Sequence, residues 1–309
     1  MGADERKIKA GRRNITIHRP DKSLFPSSGG KDSVTKGQVV DYYRRIAQIL
    51  LPHLHGRPVS LQRCPDGIDD CFFQKDVPNH FPAWIARTSL PAGGKTVEYL
   101  QVQHLSTLLY IADQAAIALH VGLSRVDRPE YPDRLIFDLD PSGEDFSEVR
   151  WSAGILRRAF DTMEMPSFLM TTGSRGLHVV VPLDRSANFD ESREFARQLA
   201  EKLAARYPDR VTVEQRKKAR KGRLFLDYLR NAYGQTTIAP YSLRTLAGAP
   251  VAAPLEWNEL MNHRLHPDRW TLDNIFRRLA QRDDPFRAIG RQGVAIDPER
   301  LGRLEADPE

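Results

Sequence analysis

Between Arg134 and Leu229 the sequence passes through apolar patterns of period two and period 3.6 in one order, and few folds accept that order. RLIFDLD (Arg134 to Asp140) reads as a strand, and SEVRWSAGILRRAFDTM puts Val149, Ala153, Leu156 and Phe160 on one helical stripe. SFLMTT (Ser167 to Thr172) and LHVVVPL (Leu177 to Leu183) flank the turn GSRG and read as a hairpin. DESREFARQLAEKLAARY starts at Asp190 as N-cap and buries Phe195, Leu199 and Leu203; VTVE and RLFLDYL (Arg223 to Leu229) supply further strands. The order β-α-β-β-α-β is the split βαβ arrangement, a sheet with helices on one face and an α+β class. It names no function.

Ahead of this core a basic arm leads into the Ser/Gly-rich loop FPSSGGKDS (Phe25 to Ser33). The spacing of Val39, Val40, Tyr43, Ile46 and Leu50 in KGQVVDYYRRIAQILLPHL predicts a helix that ends near Pro52. HLSTLLYIADQAAIALHVG has Leu105, Leu108, Ala112, Ala115 and Leu119 in helical phase, and the loop VDRPEYPDR follows. The expected organisation is an N-terminal module over 1–130, a core over 131–270 and a peripheral charged tail over 271–309. No run of about 18 apolar residues occurs, and no apolar segment follows the charged N-terminus, so a cytoplasmic chain without a membrane span is expected. Cys64 and Cys71 are too few for a disulfide framework and, without histidines, for a four-ligand zinc site, so both are expected as ordinary thiols.

The net charge of +6 is unevenly spread over the 309 residues. Residues 1–36 hold nine Lys/Arg against four Asp/Glu, and residues 206–230 hold nine against three. RKKARKGR (Arg216 to Arg223) packs six cations into eight residues, a field that draws phosphate backbones or simply solvates a loop.

Asp138 and Asp140 close a strand. Residues i and i+2 share a face there, so the two carboxylates project together and repel unless protonated or bridged by a hard cation such as Mg²⁺ or Mn²⁺. Asp-x-Asp before Pro-Ser-Gly is equally ordinary turn and cap chemistry. Asp227 interrupts the apolar strand RLFLDYL, where a charge is costly unless satisfied; it either faces water from an edge or joins the other two. Three joined carboxylates suit two-metal phosphoryl transfer. TTGSRGLH adds Thr172, Ser174, Arg175 and His178 around glycines that admit close backbone approach, and Arg220 and Arg244 add bidentate phosphate donors.

HRPDKSLFP, TKGQVVDYYRRIA, LPHL, RPVSLQRCPDGID, FFQK, LIFDLDPS, TTGSRGLHVVVPL, the block from Val211 to Asp227, NAYGQTTIAPYSLR and PLEW follow one another from about residue 15 to 260. Together they resemble the polymerase domain of bacterial ATP-dependent DNA ligase D, in the archaeo-eukaryotic primase-polymerase superfamily. The resemblance implies a split βαβ (RRM-like) catalytic core with an N-terminal α/β module. It implies catalytic metal-binding aspartates at Asp138, Asp140 and Asp227. Triphosphate-binding positions fall at Thr172, Arg175, His178, Arg220 and Arg244. His120 falls near the sugar, and Arg63 and Lys75 fall near the incoming nucleotide. Lys22 and Lys36 match the lysines that recognise a 5′-phosphate, and Phe72 and Phe73 match an aromatic pair that stacks on the template.

The implied activity is template-directed nucleotidyl transfer from NTPs or dNTPs at gapped or broken DNA, with two Mn²⁺ or Mg²⁺ ions and a preference for ribonucleotides. The implied setting is non-homologous end joining in the nucleoid, with Ku and an ATP-dependent ligase as partners. De novo priming is the alternative; a nuclease using the same aspartates and a non-catalytic end-binding module are the competing classes. Gln235 stands where relatives often carry Lys, and Thr172 replaces the commoner Ser. The length leaves no room for ligase or nuclease domains, which suits either a free-standing protein or an excised domain.

Overall fold

The structure is a computed structural model that describes residues 4–27, 29–30, 32–141, 143 and 145–304. Two units interleave along the chain. The first comprises Met1–Gly122, Thr236–Ala252 and Trp270–Arg282; the second comprises Leu123–Gln235, Ala253–Arg269 and Asp283–Glu309. The chain begins in the first unit with β1 (Glu5–Ala10), β2 (Arg13–His18), β3 (Ser23–Phe25), β4 (Val34–Thr35) and α1 (Lys36–Leu54). It continues with β5 (Val59–Arg63), β6 (Phe72–Gln74), β7 (Arg87–Ala92), β8 (Lys95–Leu100), α2 (Leu105–Asp113) and β9 (Ala116–Gly122). The second unit follows with β10 (Arg134–Leu139), α3 (Phe146–Thr162), β11 (Phe168–Thr171), β12 (Leu177–Pro182), α4 (Phe189–Arg206), β13 (Val211–Thr212) and β14 (Leu224–Phe225). The chain then returns to the first unit for β15 (Thr236–Ile238), to the second for β16 (Pro254–Leu255), and to the first again for α5 (Ile275–Leu279).

The first unit is built on a six-stranded sheet in the order β15-β9-β5-β8-β7, with β6 paired to β5. Its core gathers Val39, Val40, Tyr43, Ile46 and Leu50 of α1, the residues whose spacing predicted that helix. Thr35 caps α1 in a reciprocal box with Gln38, and Pro52 lies inside the last turn rather than beyond it. The second unit carries the sheet β10-β12-β11-β16, all antiparallel. Val149, Ala153, Leu156 and Phe160 of α3 and Phe195, Leu199 and Leu203 of α4 are buried, as their stripes require. The class is α+β.

Several expectations are corrected. The helix expected over HLSTLLYIADQAAIALHVG stops at Asp113, Ala115 takes a left-handed φ of 57°, and the remainder is the central strand β9. A strand buried on both faces lacks the alternation that would tell it from a helix. α4 is capped by Asn188, not Asp190: Asn188 Oδ1 accepts from Glu191 N at 3.0 Å while Glu191 Oε2 accepts from Asn188 N at 2.7 Å. RLFLDYL is extended only at Leu224–Phe225, which pair in parallel with β13 outside the main sheet. The stretch 283–304 is not a loose appendage, because Phe286, Ile289 and Leu301 are buried and Val294 bridges Leu183.

The two cysteines are also not free thiols. Cys64 and Cys71 form a disulfide, their Cα atoms 4.2 Å apart. The intervening PDGIDD turns back on itself: Gly67, at a φ of 106°, donates its N–H to Cys64 O, and Asp70 N–H donates to Gly67 O. Sequence count could not foresee this, since reach is set by the turn. The bridge leads directly into β6 and its exposed Phe72 and Phe73. Thiol titration of the unfolded, unreduced protein is therefore expected to find no reactive thiol, and two after reduction; two thiols before reduction would refute the bridge.

Candidate active site

The three aspartates meet in the second unit through backbone pairing. Asp138 lies next to the end of β10, opposite His178 on β12. Its N–H donates to Asp227 O at 3.3 Å, an isolated antiparallel bridge that brings a distant segment alongside the strand end. Asn231 fixes the register. Its buried amide accepts from Ile136 N at 2.8 Å and donates to Ile136 O at 2.7 Å, as a neighbouring strand would, and donates again to Tyr228 O at 2.9 Å. A fully paired buried amide is a stiff anchor. Leu229 N–H donates to Asp227 Oδ1 at 2.8 Å and sets that carboxylate's rotation.

The site gathers negative charge with limited solvent at Asp138 and Asp227, 13% and 21% exposed, while the Asp140 side chain is half exposed. Burial pushes the Asp140 carboxyl above the ordinary carboxylate range, and the neighbouring Asp138 adds to the rise. Asp227 is likewise raised, by burial first and by Asp138 among the rest, against the pull of the Leu229 N–H. Asp138 is also opposed by burial, the largest single influence on it, yet His178 and Arg230 together hold it below the usual range. His178 Nε2 lies 3.2 Å from Asp138 Oδ1, and Arg230 Nε donates to Asp138 Oδ2 at 3.2 Å and lies 3.8 Å from Asp227 Oδ2. Arg175 is 4.0 Å from Asp140 Oδ2.

The hairpin turn TTGSRG closes against the same strand end. Thr172 Oγ1 donates to Gly176 O at 3.1 Å and accepts from Gly176 N at 3.2 Å and Ser174 N at 3.3 Å, so the hydroxyl expected at a nucleotide is spent on folding the turn. Gly176 packs so tightly on β10 that a Cβ there would fall inside the Leu139 carbonyl and 2.7 Å from Asp140 Oδ1. Only glycine permits this approach. Arg220 stacks over Phe225, 4.5 Å from the ring centroid, and donates to Glu214 O and Gln215 O, which ties it to the loop of the basic run. Arg216, Lys217, Lys218 and Lys221 of that run are exposed.

The first unit carries the other expected positions. Lys36 N–H donates to Lys22 O at 2.8 Å, which sets the two lysines side by side. Lys22 pairs with Asp66 at 2.6 Å. Lys36 is buried, donating to Asp113 O at 3.1 Å and Asp113 Oδ1 at 3.2 Å, while His18 N and Nδ1 engage the same carboxylate. Arg63 donates to Gln114 O and Gln74 Oε1 beneath Phe72, and burial lowers its pKa. Phe72 is 46% and Phe73 61% exposed, with the Phe73 ring edge-on to His120 at 5.2 Å. Lys75 is exposed, and Arg244 N–H donates to Pro250 O.

Among the described residues no group of three or more His, Cys, Asp or Glu side chains is placed so that it could hold a metal ion as it stands. The donor set nonetheless fits a hard divalent cation: three carboxylates at one strand end, two of them disfavoured as anions until a positive charge joins them. Arg230, Asn231, Gly176 and Asp113 were not singled out from the sequence. The signal for Arg230 was its place three residues after Asp227, one turn along the 3₁₀ segment Leu229–Asn231.

Residues 35–286 match the family model of the LigD primase-polymerase domain. The multifunctional non-homologous end joining protein LigD of Mycolicibacterium smegmatis is 35% identical over 274 residues, covering 87% of this chain and 35% of that protein. The bifunctional non-homologous end joining protein LigD of Bacillus subtilis is 33% identical over 269 residues, 86% of this chain and 42% of that one. The chain thus spans well under half the length of these curated relatives. The solved polymerase domain of Mycobacterium tuberculosis ligase D in complex with DNA superposes with a TM-score of 0.83 at 32% identity, covering 90% of this chain and 99% of that one.

Gly176→Ala is expected to destabilise the protein by about 1–3 kcal/mol in denaturant unfolding, because the added methyl displaces Leu139 and Asp140. Gly143→Ala, which meets nothing within 4 Å, should stay within about 0.5 kcal/mol of wild type. Equal unfolding curves for the two variants would mean that the turn retreats freely from the strand.

Proposed function

Since the chain belongs to the LigD primase-polymerase domain family, we propose that it extends primer 3′-hydroxyls across short gaps or breaks in DNA, with ribonucleotides preferred, in end joining or gap-filling repair. It is a nucleotidyltransferase of the polymerase type. The observation that carries the reading is the meeting of Asp138, Asp140 and Asp227 at one strand end, with Arg175 and His178 from the adjoining hairpin.

In this reading the three aspartates hold two Mn²⁺ or Mg²⁺ ions, which when bound acidify the primer hydroxyl and neutralise the departing pyrophosphate. His178 keeps the Asp138 carboxylate ionised and oriented toward the strand end. Arg175, largely exposed beside Asp140, supplies a bidentate donor for a triphosphate oxygen, and Thr172 shapes the turn that presents it. Arg220 and the exposed cations of its loop meet phosphates. Within the first unit, the exposed Phe72 and Phe73 suit stacking on an unpaired template base, and Arg244, His120, Arg63 and Lys75 keep the nucleotide-contacting roles that the resemblance implies. Lys22 and Lys36, adjacent through their backbones, read a 5′-phosphate. In this reading an ATP-dependent ligase, on the same polypeptide or separate, and Ku are partners of the reaction in the nucleoid. Among the described residues no helix is long and apolar enough to cross a membrane.

The test is incubation of the protein with a 5′-phosphorylated gapped duplex, Mn²⁺ and each ribo- or deoxyribonucleotide. Primer extension is expected; shortened primers would instead indicate a nuclease, and bound but unaltered DNA a non-catalytic end-binder. Asp138→Ala should lower extension by roughly 10²–10³-fold or more, the scale of losing one preorganised electrostatic group, with DNA affinity nearly unchanged.

Lys22→Ala with Lys36→Ala should erase the advantage of a phosphorylated gap over an open template, a loss of roughly ten-fold or more on the gap alone. Equal losses on both substrates would reduce these lysines to general cations.

A further inference from the structure

We propose that Arg230 is a resident counter-cation of the three-aspartate site, a side chain that withdraws when a divalent ion binds and so sets the ion concentration at which the site loads. The inference rests on the metal-binding reading of Asp138, Asp140 and Asp227 above. Arg230 Nε donates to Asp138 Oδ2 at 3.2 Å and stands 3.8 Å from Asp227 Oδ2, so one nitrogen serves the two carboxylates that the backbone bridge brings together. Those carboxylates are 13% and 21% exposed, whereas the Arg230 side chain is 45% exposed, so the guanidinium has open solvent to enter once displaced.

Among the described residues, the side chain of Arg230 has its hydrogen-bond and ion-pair partners only in these two aspartates. Its backbone is held by other means. Asn231 clamps the segment to Ile136 and Leu229 N–H holds Asp227 Oδ1, so the side chain can leave without moving the aspartates. A guanidinium is planar and delocalised, and this one makes a directed bond to Asp138 and a longer ion pair with Asp227, while Asp140 has Arg175 at 4.0 Å. A compact divalent ion takes oxygen ligands from several directions at once. The ion therefore competes for lone pairs that Arg230 already uses, and what the ion gains is reduced by what the arginine gives up.

The experiment uses Mn²⁺ alone, with neither DNA nor nucleotide, titrated calorimetrically into wild type, Arg230→Gln and Asp140→Asn. Arg230→Gln is expected to bind Mn²⁺ roughly ten-fold more tightly, the scale of removing one charge-assisted hydrogen bond from the competition. It should also unfold at a lower temperature without the ion. Asp140→Asn should bind more weakly than wild type. Equal or weaker Mn²⁺ affinity in Arg230→Gln, with Asp140→Asn still impaired, overturns the inference and spares the metal site; equal binding by wild type and Asp140→Asn sinks both. Should Arg230→Gln fail to fold, Arg230→Lys replaces it, with an affinity above wild type expected and one at or below wild type refuting. Displacement itself is read in wild type by NMR with diamagnetic Mg²⁺: the Arg230 Nε–H resonance should gain solvent exchange as the site fills, and a signal that stays protected at saturation refutes the proposal.

Discussion

Three carboxylates at one strand end repel one another, and the second unit is organised around bearing that repulsion. Water would screen the charges if the site were open, but Asp138 is nearly enclosed. The relief comes from neighbours placed by the fold: His178 through strand register, Arg230 through a 3₁₀ turn, Arg175 through a hairpin. Arg230 pulls on all three carboxylates but hydrogen-bonds only Asp138, and the raised Asp140 and Asp227 record the unrelieved remainder. A site left short of positive charge favours a hard cation, which is the electrostatic ground of the proposed metal binding.

The neutral amide of Asn231 does as much as the charges. By occupying both hydrogen-bonding groups of Ile136 it substitutes for a strand, and so Asp227 arrives beside Asp138 without belonging to the sheet. Backbone pairing sets Asp227 beside Asp138, whereas electrostatics alone would drive the carboxylates apart. Gly176 completes the arrangement from the other side, since its missing side chain lets the turn lie on Leu139 and Asp140.

The elements legible in the sequence were those with a helical apolar stripe or with turn residues marking their ends. α1, α3 and α4 carry clean apolar stripes, and β10, β11 and β12 are short runs bounded by turn residues, so their places followed from pattern. β9, covered on both faces like β12, was hidden because only Gln114 and Ala115, neither a turn residue, separate it from α2, so nothing marks where the helical phase stops. Asp227 was suspect from its cost in an apolar run, but its means of reaching Asp138 was not, because Asn231 acts through a contact 95 residues distant. The ionic partners Asp66 and Asp113 of the two lysines were invisible for the same reason: each is an ordinary acidic residue until the fold brings it there. The disulfide depended on a tight turn about Gly67 that two cysteines and a count could not disclose.

The interleaving of the two units bears on how the chain is made. β9 waits for β15, and those partners are separated by the whole of the core that carries the aspartates. On the ribosome the first unit cannot finish its sheet until residues 123–235 of the second have been synthesised, and the late α5 segment is added only afterwards. No single cut in the polypeptide frees either unit intact, and ending the chain anywhere within 123–235 removes β15 from the first unit and β16 from the second.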